Sequence, residues 1–289
     1  MGDCHEDRLV VRSLLFVPGT RPDRIPKAMG SAADAVVVDL EDAVSAADKS
    51  AARHAVRAVL AERASTGTVV LVRINPADTP WCPDDVRAAV AANADGVVLP
   101  KYQCVEELVW LRDQLGEAGG RETAVVVGIE TARGVADSHR LLDAAPAPPA
   151  AAYFGAEDYI SDLGGHRTEA GNEVLYARSE VSLAARLAGI PAIDQAVVAV
   201  RDDERFLRDA EFGRAIGYAG KICLHPRQAE LARSVFTPST EDVDHARAVL
   251  RAGKSGVAVV DGQLVDEVHL RMARQVLAGV SPERAGGAR

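Results

Sequence analysis

Two carboxylates and an arginine follow three apolar runs of the chain. Glu130 follows Ala-Val-Val-Val-Gly-Ile, Asp158 follows Ala-Ala-Tyr-Phe-Gly-Ala-Glu, and Arg73 follows Val-Val-Leu-Val. Such runs are typical of strands that are buried on both faces of a parallel sheet. Active sites of parallel α/β barrels lie at the carboxyl ends of the strands. Two carboxylates with a cation nearby therefore suggest a divalent metal that holds an anionic substrate.

Glu130 and Asp158 are the predicted metal pair. They are 28 residues apart (158 − 130), which is the spacing of consecutive strands in a β/α repeat. Two carboxylates together with water and substrate oxygens suit Mg²⁺, which prefers octahedral oxygen ligands. The alternative is structural: Asp158 would cap a helix and Glu130 would form a salt bridge. We expect Glu157, next to Asp158, to point to the opposite face of the strand.

Arg73 lies at a predicted strand end, where a cation needs a partner. A structural salt bridge to Asp39 or Glu41 is one interpretation, and a bidentate clamp on a substrate carboxylate or enolate oxygen is the other. We favour the clamp. Asp39, Glu41 and Asp42 form a dense acidic turn. This turn is either solvated, or it forms an outer layer of the site that hydrogen-bonds and orients arginines or metal-bound waters.

Other polar residues also follow predicted strands. Arg21 and Lys27 lie near the start of a short helix, where backbone N–H groups and basic side chains make an anion site, unless the turn is simply exposed. Lys101, Asp194 and His225 complete the set. His225 could act as a base, but we expect a structural role.

Composition excludes several classes of protein. The chain has 289 residues, of which 48% are hydrophobic, and a formal net charge of −9. This negative charge argues against non-specific nucleic-acid binding. No apolar run approaches the roughly 20 residues that span a bilayer, and the acidic N-terminus is not a secretory signal. The four cysteines show no CxxC spacing, so we expect no disulfides or zinc site and a cytoplasmic location.

Eight short apolar runs, most followed by a helical pattern, predict a (β/α)8 TIM barrel with a short C-terminal helical extension. A doubly wound sheet is less favoured, because no GxGxxG follows the first strand. The predicted strands are Arg12–Pro18, Ala35–Asp42, Val69–Asn75, Gly96–Lys101, Ala124–Glu130, Ala151–Asp158, Pro191–Val197 and Gly220–Pro226.

The same patterns divide the chain into four parts. Residues 12–238 form the predicted barrel, and residues 239–280 form the extension, with a β-like piece at Val257–Leu264 between two helices. Residues 1–11 and 281–289 are predicted disordered tails.

From about Arg12 to Leu277 the chain resembles the citrate lyase β-subunit-like family, within the malyl-CoA lyase and HpcH/HpaI-type aldolase group. The motifs that carry the resemblance are Leu-Phe-Val-Pro-Gly-Thr-Arg-Pro-Asp-Arg, Asp-Leu-Glu-Asp-Ala-Val, Val-Arg-Ile-Asn-Pro, Ile-Glu-Thr-Ala, Phe-Gly-Ala-Glu-Asp, Tyr-Ala-Arg-Ser, Ala-Ile-Asp and Gly-Lys-Ile-Cys-Leu-His-Pro.

The resemblance implies a trimeric or hexameric TIM barrel that uses Mg²⁺ and acts on a CoA thioester and a small 2-oxo acid. It matches Glu130 and Asp158 to the metal ligands, and it counts Arg73 and Glu130 among the substrate-binding residues. Further residues are matched to the remaining functions: Arg12, Arg21 and Lys27 to CoA or carrier phosphates, and Asp266 to a C-terminal aspartate that acts in a neighbouring subunit's site. Glu267-Val268 lacks the proline that usually follows this aspartate.

The implied reaction is the reversible Claisen cleavage of a 3-hydroxyacyl-CoA that carries a carboxylate, of the malyl-, citramalyl- or citryl-CoA type. The products would be a 2-oxo acid and acetyl-CoA, with Arg73 stabilising charge and Asp266 transferring the proton. Three alternatives stay open: a malyl-CoA-type thioesterase, a citryl-carrier-protein lyase subunit, and a non-catalytic subunit that binds metal and a 2-oxo acid.

Overall fold

The structure is a computed structural model that describes residues 11–63, 67–143, 148–253 and 258–280. The predicted tails therefore lie outside the described residues, with the exception of Val11. Val11 is buried and packs in the core of the barrel.

Eight parallel strands close into a barrel in sequence order, which confirms the predicted (β/α)8 fold. The strands are β1 (Ser13–Pro18), β2 (Ala35–Asp39), β3 (Val69–Arg73), β4 (Gly96–Leu99), β5 (Ala124–Ile129), β6 (Ala151–Phe154), β7 (Ala192–Asp194) and β8 (Gly220–Cys223).

Most residues of the barrel strands are apolar and leave almost no surface exposed; Val36, Val37 and Val38 of β2, for example, are fully buried. Strand pairing sets the positions at the carboxyl end. Asp39 is the register partner of Pro18 on one side and of Arg73 on the other. The last residues of three consecutive strands therefore lie side by side.

Each observed strand ends at or before the predicted residue. The largest difference is in β6, which ends at Phe154, whereas the prediction extended to Asp158. Hydrophobicity continues past the end of the hydrogen-bonded ladder because the next turn is also packed against the barrel. Asp158 accordingly lies in a helix and not at a strand end.

Helices alternate with the strands along the chain. They are α1 (Ile25–Met29), α2 (Lys49–Ala61), α3 (Cys82–Ala91), α4 (Val105–Glu117), α5 (Ala132–Ala136), α6 (Ser138–Asp143), α7 (Ala156–Leu163), α8 (Leu175–Ala188), α9 (Asp203–Ala215), α10 (Pro226–Phe236), α11 (Thr240–Ala252) and α12 (Glu267–Ala278).

The chain divides into two compact units between Arg233 and Ser234. The C-terminal unit contains α11, α12 and an antiparallel hairpin of β9 (Ala258–Val260) and β10 (Gln263–Val265). The predicted β-like piece is thus two strands, joined by Asp261-Gly262 with positive φ angles of 51° and 78°. Such a pair suits a tight hairpin turn.

No helix among the described residues combines the length and the apolar character that crossing a membrane requires. Cys82, Cys104 and Cys223 carry free thiols.

Candidate functional site

Arg73 is held by the acidic turn that follows β2. Its Nε and Nη2 donate to the two carboxylate oxygens of Asp39 at 2.8 and 2.7 Å, and its Nη1 lies 3.0 Å from Glu41 Oε2. Burial disfavours the guanidinium charge, but the hydrogen bond and charge of Asp39 outweigh it and raise the pKa of Arg73. The structural salt bridge, which the sequence left as the alternative, is therefore present. A guanidinium has five N–H donors, which is more than these contacts use.

Asp39 also organises its own turn. Its carboxylate accepts the backbone N–H of Glu41 at 2.8 Å and that of Ala43 at 3.2 Å. Asp39 and Glu41 are buried, whereas Asp42 is exposed. The predicted second layer behind Arg73 consequently contains Asp39 and Glu41, and Asp42 faces solvent.

Glu130 directly follows β5 and is only 1% exposed. Its Oε1 accepts two hydrogen bonds of 2.8 Å, from the backbone N–H of Lys101 and from the Tyr153 hydroxyl. Burial, and then the negative charge of Asp158, raise the pKa of Glu130. A buried carboxylate with a raised pKa and a second carboxylate nearby is well suited to bind a cation.

Two glycines make room for this arrangement. A Cβ at position 155 would overlap Glu130 Oε2 and lie 2.6 Å from its Cβ, and a Cβ at position 128 would overlap the Tyr153 hydroxyl. Gly155 also bonds back to β5 through its N–H and the Ile129 carbonyl at 3.2 Å. The Gly-Ala-Glu-Asp sequence thus turns the chain beside Glu130 and directly starts α7.

Asp158 lies in the first turn of α7 with its side chain 32% exposed. Gly155, not Asp158, occupies the N-cap position of this helix, so capping does not explain the carboxylate. Glu157 is exposed and pairs with Arg167 Nε at 3.0 Å. The predicted opposite face of a strand does not apply, because Glu157 and Asp158 lie in a helix, where Glu157 pairs with Arg167 and Asp158 with Lys101.

Lys101 links these carboxylates, and the sequence analysis assigned it no role. Its Nζ hydrogen-bonds Glu41 Oε1 and lies 3.2 Å from Asp42 Oδ2 and 3.3 Å from Asp158 Oδ1. Burial disfavours its charge, but the hydrogen bond and charge of Glu41 and the charge of Asp158 raise the pKa of Lys101. Burial raises the pKa of Glu41 to about 7, against the opposing charges of Arg73 and Lys101.

Tyr153 is the second residue that sequence reasoning missed. It lies inside β6, where it reads as an ordinary core residue. The sequence signal was the pair of glycines at positions 128 and 155. Because they have no side chains, they leave room for the Tyr153 hydroxyl and the Glu130 carboxylate, respectively.

The donor set fits a hard divalent cation. Within the described ranges, no three or more His, Cys, Asp or Glu side chains are grouped as ligands of one metal ion. The protein therefore offers the pair Glu130 and Asp158, and water or substrate oxygens must complete the shell. This arrangement suits Mg²⁺, which retains waters and commonly takes one or two carboxylates from the protein.

The three basic residues matched to phosphates are not brought together. Arg12 precedes β1 and is 8% exposed, so it lies at the amino end of the strand, a full strand length from the carboxyl ends. Arg21 and Lys27 follow β1 and are exposed, and Arg21 pairs with Asp23 through two contacts of 2.9 Å. Only Arg21 and Lys27 remain at the expected end of the barrel.

Asp194 and His225 have structural surroundings. The Asp194 carboxylate accepts from Arg178 Nε at 2.8 Å and from Lys221 Nζ at 2.9 Å, and both Asp194 and Lys221 are fully buried. His225 is exposed, and its Nδ1 accepts the Arg227 N–H at 3.2 Å. None of these bonds involves Glu130, Asp158 or Arg73.

Asp266 belongs to the C-terminal unit and is the N-cap of α12. Its Oδ1 accepts the Val268 N–H at 2.9 Å and lies 2.8 Å from His269 Nδ1. The hydrogen bond with His269 lowers the pKa of Asp266. The carboxylate is half-exposed, so one oxygen remains accessible.

Comparison with known proteins identifies relatives across nearly the whole chain. A citrate lyase subunit beta-like protein from Deinococcus radiodurans is 43% identical over 282 residues, covering 93% of this chain and 97% of that protein. A (3S)-malyl-CoA thioesterase from Cereibacter sphaeroides is 32% identical, covering 96% and 97%.

The crystal structure of CitE from Mycobacterium tuberculosis in complex with magnesium, acetoacetate and coenzyme A is also similar. It has a TM-score of 0.81 and 32% identity and covers 94% of this chain and 99% of that one. The family model for HpcH/HpaI aldolase/citrate lyase matches residues 12–226, which span all eight strands. The chain belongs to the HpcH/HpaI aldolase/citrate lyase family.

Proposed function

We propose that this protein is a Mg²⁺-dependent carbon–carbon lyase. It would cleave a 3-hydroxyacyl-CoA that carries a carboxylate, of the malyl-, citramalyl- or citryl-CoA type, into a 2-oxo acid and acetyl-CoA. The observation that carries the proposal is that Glu130, at the carboxyl end of β5, senses the charges of both Asp158 and Arg73, while Arg73 is paired with Asp39.

Glu130 and Asp158 would hold the metal. Bound Mg²⁺ would supply Lewis acidity to the hydroxyl or ketone oxygen at the bond that breaks. The magnesium in the related CitE structure supports this choice of metal. Tyr153 and the Lys101 N–H would keep the Glu130 carboxylate ionised and oriented.

Arg73 would bind the substrate with its two remaining N–H groups. Asp39 fixes the plane of the guanidinium through two hydrogen bonds, so its remaining N–H groups would be oriented before substrate arrives. Such preorganised donors stabilise the negative charge that develops on the enolate or carboxylate oxygens. Glu41 Oε2 lies 3.0 Å from Nη1 and adds an ionic contact to the same guanidinium.

Asp266 would transfer the proton. In the synthesis direction the Asp266 carboxylate would remove a proton from the methyl carbon of acetyl-CoA; in the cleavage direction the substrate hydroxyl would lose its proton to water as the carbon–carbon bond breaks, and Asp266, protonated from solvent, would donate a proton to the enolate carbon. We extend the proposal to a homotrimer or hexamer in which Asp266 serves the site of a neighbouring subunit.

Thioester hydrolysis is the second candidate function. It is favoured by the 32% identity to a protein named (3S)-malyl-CoA thioesterase. The same residues could position a water against the thioester carbonyl instead of a carbon nucleophile. A lyase acting on a carrier-bound citryl thioester is a further variant of the first proposal.

Product analysis separates these functions. Purified protein would be incubated with Mg²⁺ and malyl-, citramalyl- or citryl-CoA. A lyase yields a 2-oxo acid and acetyl-CoA, whereas a thioesterase yields free CoA and the intact hydroxy acid. If no thioester yields either kind of product, both catalytic proposals are contradicted and a binding subunit is favoured.

The metal assignment has its own test. Glu130→Gln/Asp158→Asn should lose Mg²⁺ binding in a calorimetric titration together with turnover, because both charged ligands are gone. Glu157→Gln is the matched control, since Glu157 is adjacent but pairs with Arg167. Full Mg²⁺ affinity in the double variant would refute the assignment.

A further inference from the structure

Lys101 has a position that the proposed reaction does not account for. Its backbone N–H holds Glu130, while its ammonium contacts Glu41, Asp42 and Asp158. The residue adopts a positive φ of 51°, a conformation uncommon for residues with a side chain. One residue therefore touches both members of the metal pair, one through its main chain and the other through its side chain.

The ammonium competes with a metal for Asp158. Its Nζ is 3.3 Å from Asp158 Oδ1, so a divalent cation bound to that oxygen would lie a few ångströms from a positive charge. Two like charges at such a distance repel strongly in a partly buried site. A metal at Asp158 must therefore displace the ammonium or be weakened by it.

We propose that Lys101 is the resident cation of this site: its ammonium neutralises Asp158 and the acidic turn when no metal is bound, and withdraws from Asp158 when a divalent cation binds. The inference rests on the proposed function only through the choice of Glu130 and Asp158 as metal ligands. It makes Lys101 a positioning residue, not one that touches the reacting atoms.

The surroundings allow this exchange without rebuilding the site. The Lys101 N–H can stay on Glu130 because the flexible four-carbon stem moves independently of the backbone. Glu41 is buried and shared between Lys101 and Arg73, whereas the Asp42 side chain is 59% exposed. The ammonium can thus leave Asp158, keep Glu41 as a partner, and shift towards Asp42 and water.

The exchange predicts opposite effects on metal affinity and on metal-free stability. Lys101→Met should bind Mg²⁺ about tenfold more tightly or better, because a competing charge is removed. The metal-free variant should melt at a lower temperature than wild type, because its carboxylates repel one another. Adding Mg²⁺ should raise the melting temperature of the variant by more than it raises that of wild type.

Three companion variants sharpen the test. Lys101→Arg keeps the charge and should bind Mg²⁺ much as wild type does. Lys101→Gln keeps a hydrogen-bond donor without the charge and should follow the Met variant, so the result does not depend on one substitution folding well. Arg57→Met removes an exposed positive charge on α2 and should change neither quantity.

Calorimetric titration with Mg²⁺ and thermal melts with and without Mg²⁺ decide the outcome. Unchanged or weaker Mg²⁺ affinity in both neutral variants would overturn the exchange, as would an equal loss of melting temperature with and without metal. Neither measurement uses a thioester. A protein that shows the exchange but yields no lyase or thioesterase products would refute the proposed function alone.

Discussion

At the scale of single residues, Arg73 forms the salt bridge that the sequence presented as one of two interpretations, and the proposed substrate clamp would depend on that salt bridge. Its Nε and Nη2 donate to Asp39 and its Nη1 pairs with Glu41, and the other N–H groups would serve a ligand. The salt bridge would support a clamp, because it holds the planar guanidinium in one orientation. The entropy of ordering Arg73 would then be lost on folding and not on substrate binding.

Arg73→Lys should therefore lose most of its turnover, by about a hundredfold or more, although the positive charge is kept. A lysine ammonium cannot bind Asp39 through two nitrogens and offer two further N–H groups in a plane. Steady-state kinetics on the active thioester would measure the loss. Arg53→Lys, at a barrel arginine paired with Asp85, is the control, and normal turnover in Arg73→Lys would reduce Arg73 to an ion-pair partner.

The Tyr153 hydroxyl donates to Glu130 Oε1 at 2.8 Å and favours the ionised carboxylate, against the larger effect of burial. Tyr153→Phe should weaken Mg²⁺ binding about fivefold, since a hydrogen bond to a carboxylate contributes on the order of 1 kcal/mol or more. Burial already raises the pKa of Glu130, and loss of the donor raises it further. Mg²⁺ affinity should therefore fall more steeply as the pH is lowered than it does in wild type.

Calorimetric titrations across a pH series would test this effect. Tyr218→Phe is the matched control, because that hydroxyl is also buried and donates to a carbonyl, Arg178 O, at 2.7 Å. It should lose stability without losing Mg²⁺ affinity. Identical pH dependence of Mg²⁺ binding in Tyr153→Phe and wild type would count against the role of the hydroxyl.

At the scale of elements, the junction between β6 and α7 decides the geometry of the metal pair. Phe154 ends the strand, Gly155 turns the chain against Glu130, and Asp158 then emerges from the first turn of the helix. A carboxylate near a helix N-terminus is also favoured by the backbone N–H groups there. The two ligands consequently come from different kinds of element, a strand end and a helix start.

Gly155→Ala should abolish tight Mg²⁺ binding while the barrel remains folded. The new Cβ would overlap Glu130 Oε2, so the carboxylate must leave its hydrogen bonds to Lys101 and Tyr153. Circular dichroism would report the fold, and calorimetry would report the metal. Gly165→Ala is the control, because its nearest neighbour would lie at an ordinary 3.6 Å; unchanged Mg²⁺ affinity in Gly155→Ala would show that Glu130 can bind from another position.

At the scale of the whole molecule, Asp266 belongs to the C-terminal unit and the proposed metal pair to the barrel unit, and the proposal assigns Asp266 to the site of a neighbouring subunit. Asp266 also caps α12. Asn is as good an N-cap as Asp, so Asp266→Asn removes the acid–base function and preserves the helix. This makes it a clean probe of assembly.

We predict that Asp266→Asn folds and binds Mg²⁺ but is nearly inactive, and that mixing it with Arg73→Ala restores part of the activity. A mixed oligomer can contain one site with an intact Arg73 from one chain and an intact Asp266 from its neighbour. Mixing Arg73→Ala with Asp158→Asn is the control, because both residues belong to the barrel unit and no intact combination arises. Absence of rescue in verified mixed oligomers would contradict the shared site.

The sequence by itself determined the barrel, the order of its elements and most residues of the candidate site. Strand and helix patterns are local, because burial on both faces imposes continuous hydrophobic runs and the following helix imposes its own period. All eight strands were found this way, and Glu130, Arg73 and Asp39 were recognised because each stands where a run stops.

Only the tertiary structure decided which of these groups meet. The β2–β3 register joins Asp39 to Arg73, the Gly155 turn brings Asp158 into a helix, and Lys101 reaches three carboxylates on two separate segments. Arg12, close in sequence to Arg21, lies at the other end of the same strand. Such contacts depend on long-range pairing and on the space left by glycines, and neither quantity is encoded in the local periodicity of the chain.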